Sequence, residues 1–396
     1  MKGPALEQVG TPQDQAGNPT QMPGHMRPSL ITLVAFALMA FGAVFVFSAS
    51  AGLNQGLAIG HQGLRQLLLL PVAIIIMVLV SKVDYKVFAI DRPLLRSATS
   101  YILVASSILL ILVLVPGIGI ERNAARRWLF VGLGPLGLSF QPSELGKWAV
   151  IFLVVAASHR FGFRLHSLSR HLLPLLAICG VIIGLILIED FGTAAFIALA
   201  VLVVLIPAGA RWGHLALLAS AGALVFGLAL VTAPYRVQRL VAFTQPDRWA
   251  QSVGYQADQS LIAIASGGIL GKGLGNGVSK YGHLPEDTTD FVFAVIAEEL
   301  GLVGVLAVIA LFAAFIWLGL QTSLATKEPF GRLLAFAITA AIGLQAVLNI
   351  GVVTVVLPTK GIPLPFISGG GTSLLVSAAV AGVLLNIAGK AHVRQV

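Results

Sequence analysis

Ten apolar runs of sixteen to twenty-five residues succeed one another along this chain, and no other feature limits its fold so tightly. They cover 30–50, 65–81, 99–117, 143–158, 171–188, 193–209, 213–233, 300–320, 332–356 and 371–389. About twenty apolar residues in a helix cross a bilayer. With 57% of 396 residues hydrophobic and 10% charged, the chain carries more apolar surface than a water-soluble core needs. The expected fold is an all-α polytopic membrane protein of ten transmembrane helices, with a large extracytoplasmic loop at 234–290 between spans seven and eight. Residues 29–390 make that domain, 1–28 a polar, disordered tail and 391–396 a short C-terminus. The Glu189–Gly192 link makes spans five and six a tight hairpin, and Arg211 marks a second sharp turn. Ser48-Ala49-Ser50-Ala51 looks like a signal-peptidase site, but the run from Leu30 to Phe47 exceeds an h-region of about 7–15 residues, so an uncleaved first span is expected.

Lysine and arginine set the orientation. With the N-terminus inside, fourteen of these cations fall on cytoplasmic segments and five on the short outer loops: Arg65, Arg122, Arg126, Arg127 and Lys360. Both termini are then cytoplasmic and the long loop lies outside. The net charge of +9 is scattered between apolar runs rather than striped along one face, which fits phospholipid headgroups and not nucleic acid. The lone Cys179 lies inside an apolar run and has no cysteine to pair with. ERNAARRW (121–128) breaks the charge pattern with three arginines in an outer loop. An anionic partner outside explains them; pairing with headgroups or loop acids is the alternative.

Loops beyond about 12–15 residues are uncommon and usually functional, which marks the outer segment ending in YGHLPEDTTD (281–290) as a working part. Its final carboxylate, Asp290, directly precedes an apolar helix. It is either an N-cap or a partly desolvated acid of raised pKa. Glu144 and Lys147 stand three apart on one face of the fourth span, where they neutralise each other. They either fix packing or belong to a site. Glu298 and Glu299 point about 100° apart on a helix, so at most one faces lipid. GGILGKGLGNG (267–277) is not a phosphate loop, since Gly273 follows Lys272 where a Ser or Thr is required and no strand precedes it. The eight histidines show no metal spacing, and no Ser-His-Asp or Cys-His arrangement is evident. Neither nucleotide nor haem is expected.

Six segments in this order resemble the FtsW/RodA family of polytopic peptidoglycan polymerases, the SEDS proteins. They are NAARRW (123–128), QPSELGK (141–147), EDFGTA (189–194), YQADQSLIAIASGGILGKGLG (255–275), LPEDTTDFVFAVIAEELG (284–301) and LPTKGIPLPFISGGGTSLL (357–375). The resemblance runs from about residue 30 to 389. Lys360 in PTKG places the chain nearer the division branch, FtsW, whereas IPLPFIS leans toward the elongation branch, RodA. By position, the family's essential outer-loop aspartate falls on Asp290, its arginines and tryptophan on Arg126, Arg127 and Trp128, and its QPSE glutamate and following lysine on Glu144 and Lys147. The glutamines and serine of its YQxxQS pattern fall on Gln256, Gln259 and Ser260. Departures are Ala124, Glu189, Asp258, Thr288 and Gly369, where the family usually has glycine, proline, a non-acidic residue, histidine and tyrosine.

The resemblance implies lipid II as substrate, Asp290 as base, and Arg126 and Arg127, with Lys272 or Lys360, gripping its pyrophosphate. A divalent cation, Mg2+ or Mn2+, would share that work. Trp128 either stacks on sugar or anchors at the interface. A class B penicillin-binding protein transpeptidase and other divisome proteins are the expected partners, at the septum of a bacterial inner membrane and among its lipids. The alternatives are a RodA-like elongation polymerase, a lipid II flippase or transporter, and a non-catalytic division scaffold. No internal repeat of the transporter kind is visible.

Overall fold

The computed structural model describes residues 26–51, 61–90, 97–122, 125–131, 138–162, 167–249 and 251–393. Most of the expected 1–28 tail, residues 394–396, and Asn123 and Ala124 of NAARRW lie outside the described residues.

Each of the ten apolar runs falls on a helix. The first seven are α1 (Met26–Ala51), α2 (His61–Ser81), α3 (Ala98–Leu114), α4 (Pro142–Phe161), α5 (Leu173–Glu189), α6 (Phe191–Leu205) and α7 (Trp212–Val231). The outer loop then folds into α8 (Pro234–Thr244), α9 (Pro246–Trp249) and α10 (Tyr255–Gly267). The chain returns through α11 (Val292–Ala325), α12 (Pro329–Val353) and α13 (Gly371–Val393). By length and composition α1, α2, α5, α7, α11, α12 and α13 can cross a membrane, and α3 and α6 are shorter apolar helices. The twenty-residue α4 carries Glu144 and Lys147 and is buried over almost its whole length. Asp190 alone separates α5 from α6, giving the expected tight hairpin.

The all-α expectation holds for the membrane part. Outside it, the segment between α3 and α4 makes a small antiparallel sheet of β1 (Gly119–Arg122), β2 (Ala125–Val131) and β3 (Leu138–Phe140), in that order. Trp128 stands opposite Ile120, and Leu129 opposite Phe140. ARRWLFV ends in aromatic and β-branched residues, which suit a pleated surface.

Burial is uneven. In the spanning window of α13, 78% is buried, and in that of α7, 6%. Helices α4, α12 and α13 occupy the interior, with α6 and α11 packed on α12, while α7 packs on α6 and α8.

Two irregular stretches shape the outer half. The first is a break in α11 at Gly301, where φ is +63°. Four backbone groups lose their helical partners there, and the segment after α10 replaces them. Lys272 N donates to Glu298 O and Gly273 N to Glu299 O, both at 3.0 Å, while Leu302 N donates to Gly268 O at 3.0 Å and Val303 N to Ile269 O at 3.4 Å. A side chain at 301 would place its Cβ 2.4 Å from Gly271 N, so only glycine fits. The second stretch joins α12 to α13 through buried but non-helical backbone that includes Ile362, Leu364, Phe366 and Ile367. Such backbone is tolerated inside a membrane protein only when its polar groups are satisfied. Here Asn349 donates to Ile362 O and Gln345 to Pro363 O, each at 2.7 Å. Ser368 Oγ donates to Thr289 O at 2.6 Å, and Gly369 N to Thr288 O at 2.8 Å. The peptide before α11 is thereby stitched to the peptide before α13, which sets Asp290 beside Gly361.

Candidate active site

Asp290 does not cap α11: the capping position is Phe291, and no side chain bonds there. Its carboxylate lies instead against Gly361, where a Cβ would come within 2.8 Å of Oδ2. Gly361 belongs to the wall of an outer cleft. The other walls are Arg127 from β2, Asp190 and Phe191 at the α5–α6 hairpin, Leu230 of α7, Tyr235, Arg236 and Arg239 of α8, and Lys360.

The cleft is cationic. Arg127 Nε donates to Glu189 O at 2.8 Å. Phe191 is flanked by the Arg236 guanidinium at 5.2 Å and the Lys360 ammonium at 5.1 Å, both over its ring. Among the described residues, none of Arg127, Arg236, Arg239 and Lys360 has a carboxylate at ion-pair distance. Burial lowers the Lys360 ammonium, and burial together with Arg127 lowers the Arg239 guanidinium. Burial, reinforced by Glu286 and Asp190, pushes Asp290 up to about 7, while Arg127 and Arg239 hold it back. A carboxyl poised there takes a proton readily at neutral pH. Asp287 is also pushed up to about 7 by burial, but it is almost wholly enclosed, whereas Asp290 is partly exposed beside Gly361 of the cleft wall.

Among the described residues no three His, Cys, Asp or Glu side chains gather as a metal site. Asp190 lines the cleft, and its charge helps to raise the Asp290 pKa. Asp190 accepts from Thr193 N at 3.0 Å and Thr193 Oγ1 at 2.8 Å, which leaves it further acceptor capacity. A cleft carboxylate with substrate phosphate oxygens is a donor set that fits Mg2+ or Mn2+.

The remaining candidates lie elsewhere. Arg126 bonds Glu189 Oε2 through its backbone N at 2.9 Å and reaches Glu121 at 3.4 Å. It lines a neighbouring apolar crevice of α3 and α5 that shares Arg127 and Asp190 with the cleft. Trp128 is half-buried on β2 and lines neither hollow. Glu144 and Lys147 form an enclosed pair at 2.8 Å, with side chains 3% and 2% exposed, and Lys147 also donates to Gln345 at 2.8 Å. That replaces the expectation of substrate contact with an internal one. Ser260 is buried and bonds Val353 O at 2.7 Å, so it fastens α10 to α12. Gln256 and Gln259 are half-buried on α10, away from the cleft walls. Lys272 is committed to Glu298 at 2.7 Å.

Of the sequence candidates, Asp290, Arg127 and Lys360 come together. Arg236, Arg239, Asp190 and Phe191 were missed as site residues. The available signal was YRVQR (235–239), two arginines three apart on the first turns after a span. The departures also find reasons. Glu189 seats β2 through Arg126 and Arg127. A side chain at Gly369 would meet Thr288 O at 2.8 Å, so this backbone has no room for tyrosine. Thr288 itself turns to Gln62, accepting no role in the cleft.

The sequence profile of the cell cycle protein family FtsW/RodA/SpoVE matches residues 28–393. The chain belongs to the FtsW/RodA/SpoVE family. Within it, the Probable peptidoglycan glycosyltransferase FtsW of Coxiella burnetii is 38% identical over 90% of this chain and 95% of that one. Stage V sporulation protein E of Bacillus subtilis is 34% identical over 90% and 96%. Among solved members, a chain from a peptidoglycan synthase complex coordinating polymerization and crosslinking superposes with a TM-score of 0.71, at 27% identity, over 91% of this chain and 97% of that one. Thermus thermophilus RodA superposes with a TM-score of 0.62 at 27% identity, over 91% and 96%.

Proposed function

We propose that this FtsW/RodA/SpoVE-family protein is a peptidoglycan glycosyltransferase that polymerises lipid II at the outer membrane face, with Asp290 as the general base. The observation that carries the reading is the Asp290 carboxylate set against Gly361, beside a cleft of four cations that have no carboxylate partner among the described residues. The 4-hydroxyl of the acceptor N-acetylglucosamine attacks C1 of the donor N-acetylmuramic acid. Asp290 takes the hydroxyl proton as the C1–oxygen bond to pyrophosphate breaks. The bond pair leaves with undecaprenyl pyrophosphate, whose charge is met by Arg127, Arg239 and Lys360. A divalent cation held by Asp190 and phosphate oxygens would add charge stabilisation on the phosphates. Arg126, at the rim of the adjoining crevice, contributes a further charge there.

Relatives bearing the FtsW name favour the division septum over elongation. The solved synthase complex supports a crosslinking partner, which for this chain is a class B penicillin-binding protein among other divisome proteins. The charge bias supports both termini in the cytoplasm. The test is incubation of detergent-solubilised protein with lipid II, with and without that partner. Detergent abolishes sidedness, so glycan ladders on a gel demonstrate polymerisation. Intact lipid II under all conditions, alongside lipid II translocation in vesicles, would replace this reading with a flippase.

A further inference from the structure

Gln345 and Asn349 lie four residues apart on one face of α12, and both are buried. The Asn349 amide nitrogen donates to two backbone carbonyls, Asp290 O at 2.8 Å and Ile362 O at 2.7 Å. Gln345 donates to Pro363 O at 2.7 Å and accepts from Lys147, the partner of Glu144. A polar line thus runs from α4 through α12 to the peptide that carries Lys360 and Gly361, and its last link is Asp290.

The Asn349 amide satisfies two backbone carbonyls, so it contributes to stability as well as to placement. A leucine would fill similar volume but leave both carbonyls without that donor, and among the described residues the Asn349 Oδ1 has no hydrogen-bond partner. What the amide uniquely does is hold Asp290 and Ile362 a fixed distance apart. The Asp290 carboxylate is lodged against Gly361, the residue next to Ile362.

We infer that Asn349 is a positioning residue that holds the Asp290 carboxylate against the cleft, with Gln345 and the Glu144–Lys147 pair keeping the opposing peptide in register. This rests on the reading of Asp290 as the base. The groups facing that carboxylate are Glu286, Asp190, Arg127, Arg239 and, across Gly361, Lys360. Without the clamp the two peptides part, the carboxylate leaves its near-attack position, and water reaches it.

The experiment measures lipid II polymerisation by purified, solubilised Asn349→Ala and Asn349→Leu, with melting temperature alongside. Both are expected to lose about 30–100-fold in kcat, with KM within about threefold because β2 and α8 still supply Arg127, Arg236 and Arg239. Gln345→Ala should show a smaller loss in the same direction. The inference is overturned if either variant keeps kcat, if KM rises in step with the loss of kcat, or if both lose activity only in proportion to folded protein. Asp290→Asn assayed in parallel separates the two ideas. If it is active, the base assignment fails; if it is inactive while Asn349→Ala is normal, only the clamp fails.

Discussion

Two groups of acids and cations sit at the outer end of this protein, and they are wired in opposite ways. Around the break in α11 every charge is matched. Glu298 accepts from Lys272 at 2.7 Å, Val278 N at 2.9 Å, Ser279 N at 3.1 Å and the Ser279 hydroxyl. Glu299 accepts from Ser48 at 2.8 Å and Lys280 at 3.1 Å. Neither acid faces lipid. Beside the cleft, by contrast, and among the described residues, Asp290 has no side-chain bond and the surrounding arginines and lysine have no carboxylate at contact distance. Internally neutralised charge holds a loop in place and leaves nothing for a ligand. Charge held apart stores attraction for an anion and keeps a carboxyl near neutral pKa.

Breaking the cleft should have the largest effect. Asp290→Asn is expected to lower polymerisation by about 10²–10⁴-fold while the protein stays folded, read by glycan ladders from lipid II. The same change should raise the melting temperature at pH 8. The folded Asp290 holds its proton up to about 7, above the unfolded range, so the native state loses stability as pH rises from about 4 through 7. Asparagine removes that loss.

Next comes the cation wall. Arg127→Ala with Arg239→Ala should raise KM for lipid II by about 10–100-fold. Both arginines hold the Asp290 pKa down, so the rise of rate with pH should also move to higher pH. Gly361→Ala is subtler: its Cβ meets only the far end of the Asp290 side chain. Melting should be unchanged while kcat drops about tenfold from displacement of the carboxylate. The smallest effect belongs to the matched region. Lys272→Met should cost about 1 kcal/mol, some 2–4 °C in melting temperature, with activity within about twofold. A loss of catalysis at Lys272 comparable to that at Arg127 would erase the distinction between the two regions.

The spans and the outer loop were legible in the sequence because hydropathy is a local signal, and Asp290 could be singled out because an acid beside an apolar run is another. The hairpin at Asp190 was legible for the same reason. Pairing was not. Ser48 meets Glu299, Arg65 meets Ser139, and Gln141 N meets Thr372 Oγ1, contacts between distant parts of the chain that no local pattern reveals. For that reason Glu144, Lys147, Ser260 and Lys272 read as site candidates, and Arg236 and Arg239 did not. The sheet escaped notice because its strands are short and alternate poorly. Thr288 and Gly369 read as separate departures, although their backbones are bonded to each other.

The most direct test is the pH dependence of kcat/KM for lipid II polymerisation by wild-type and Asp287→Asn protein. A base at Asp290 predicts a rise centred near pH 7 in both, since Asp287 is almost wholly enclosed. A profile flat from pH 5 to 8, or one whose rise disappears in Asp287→Asn, would contradict it.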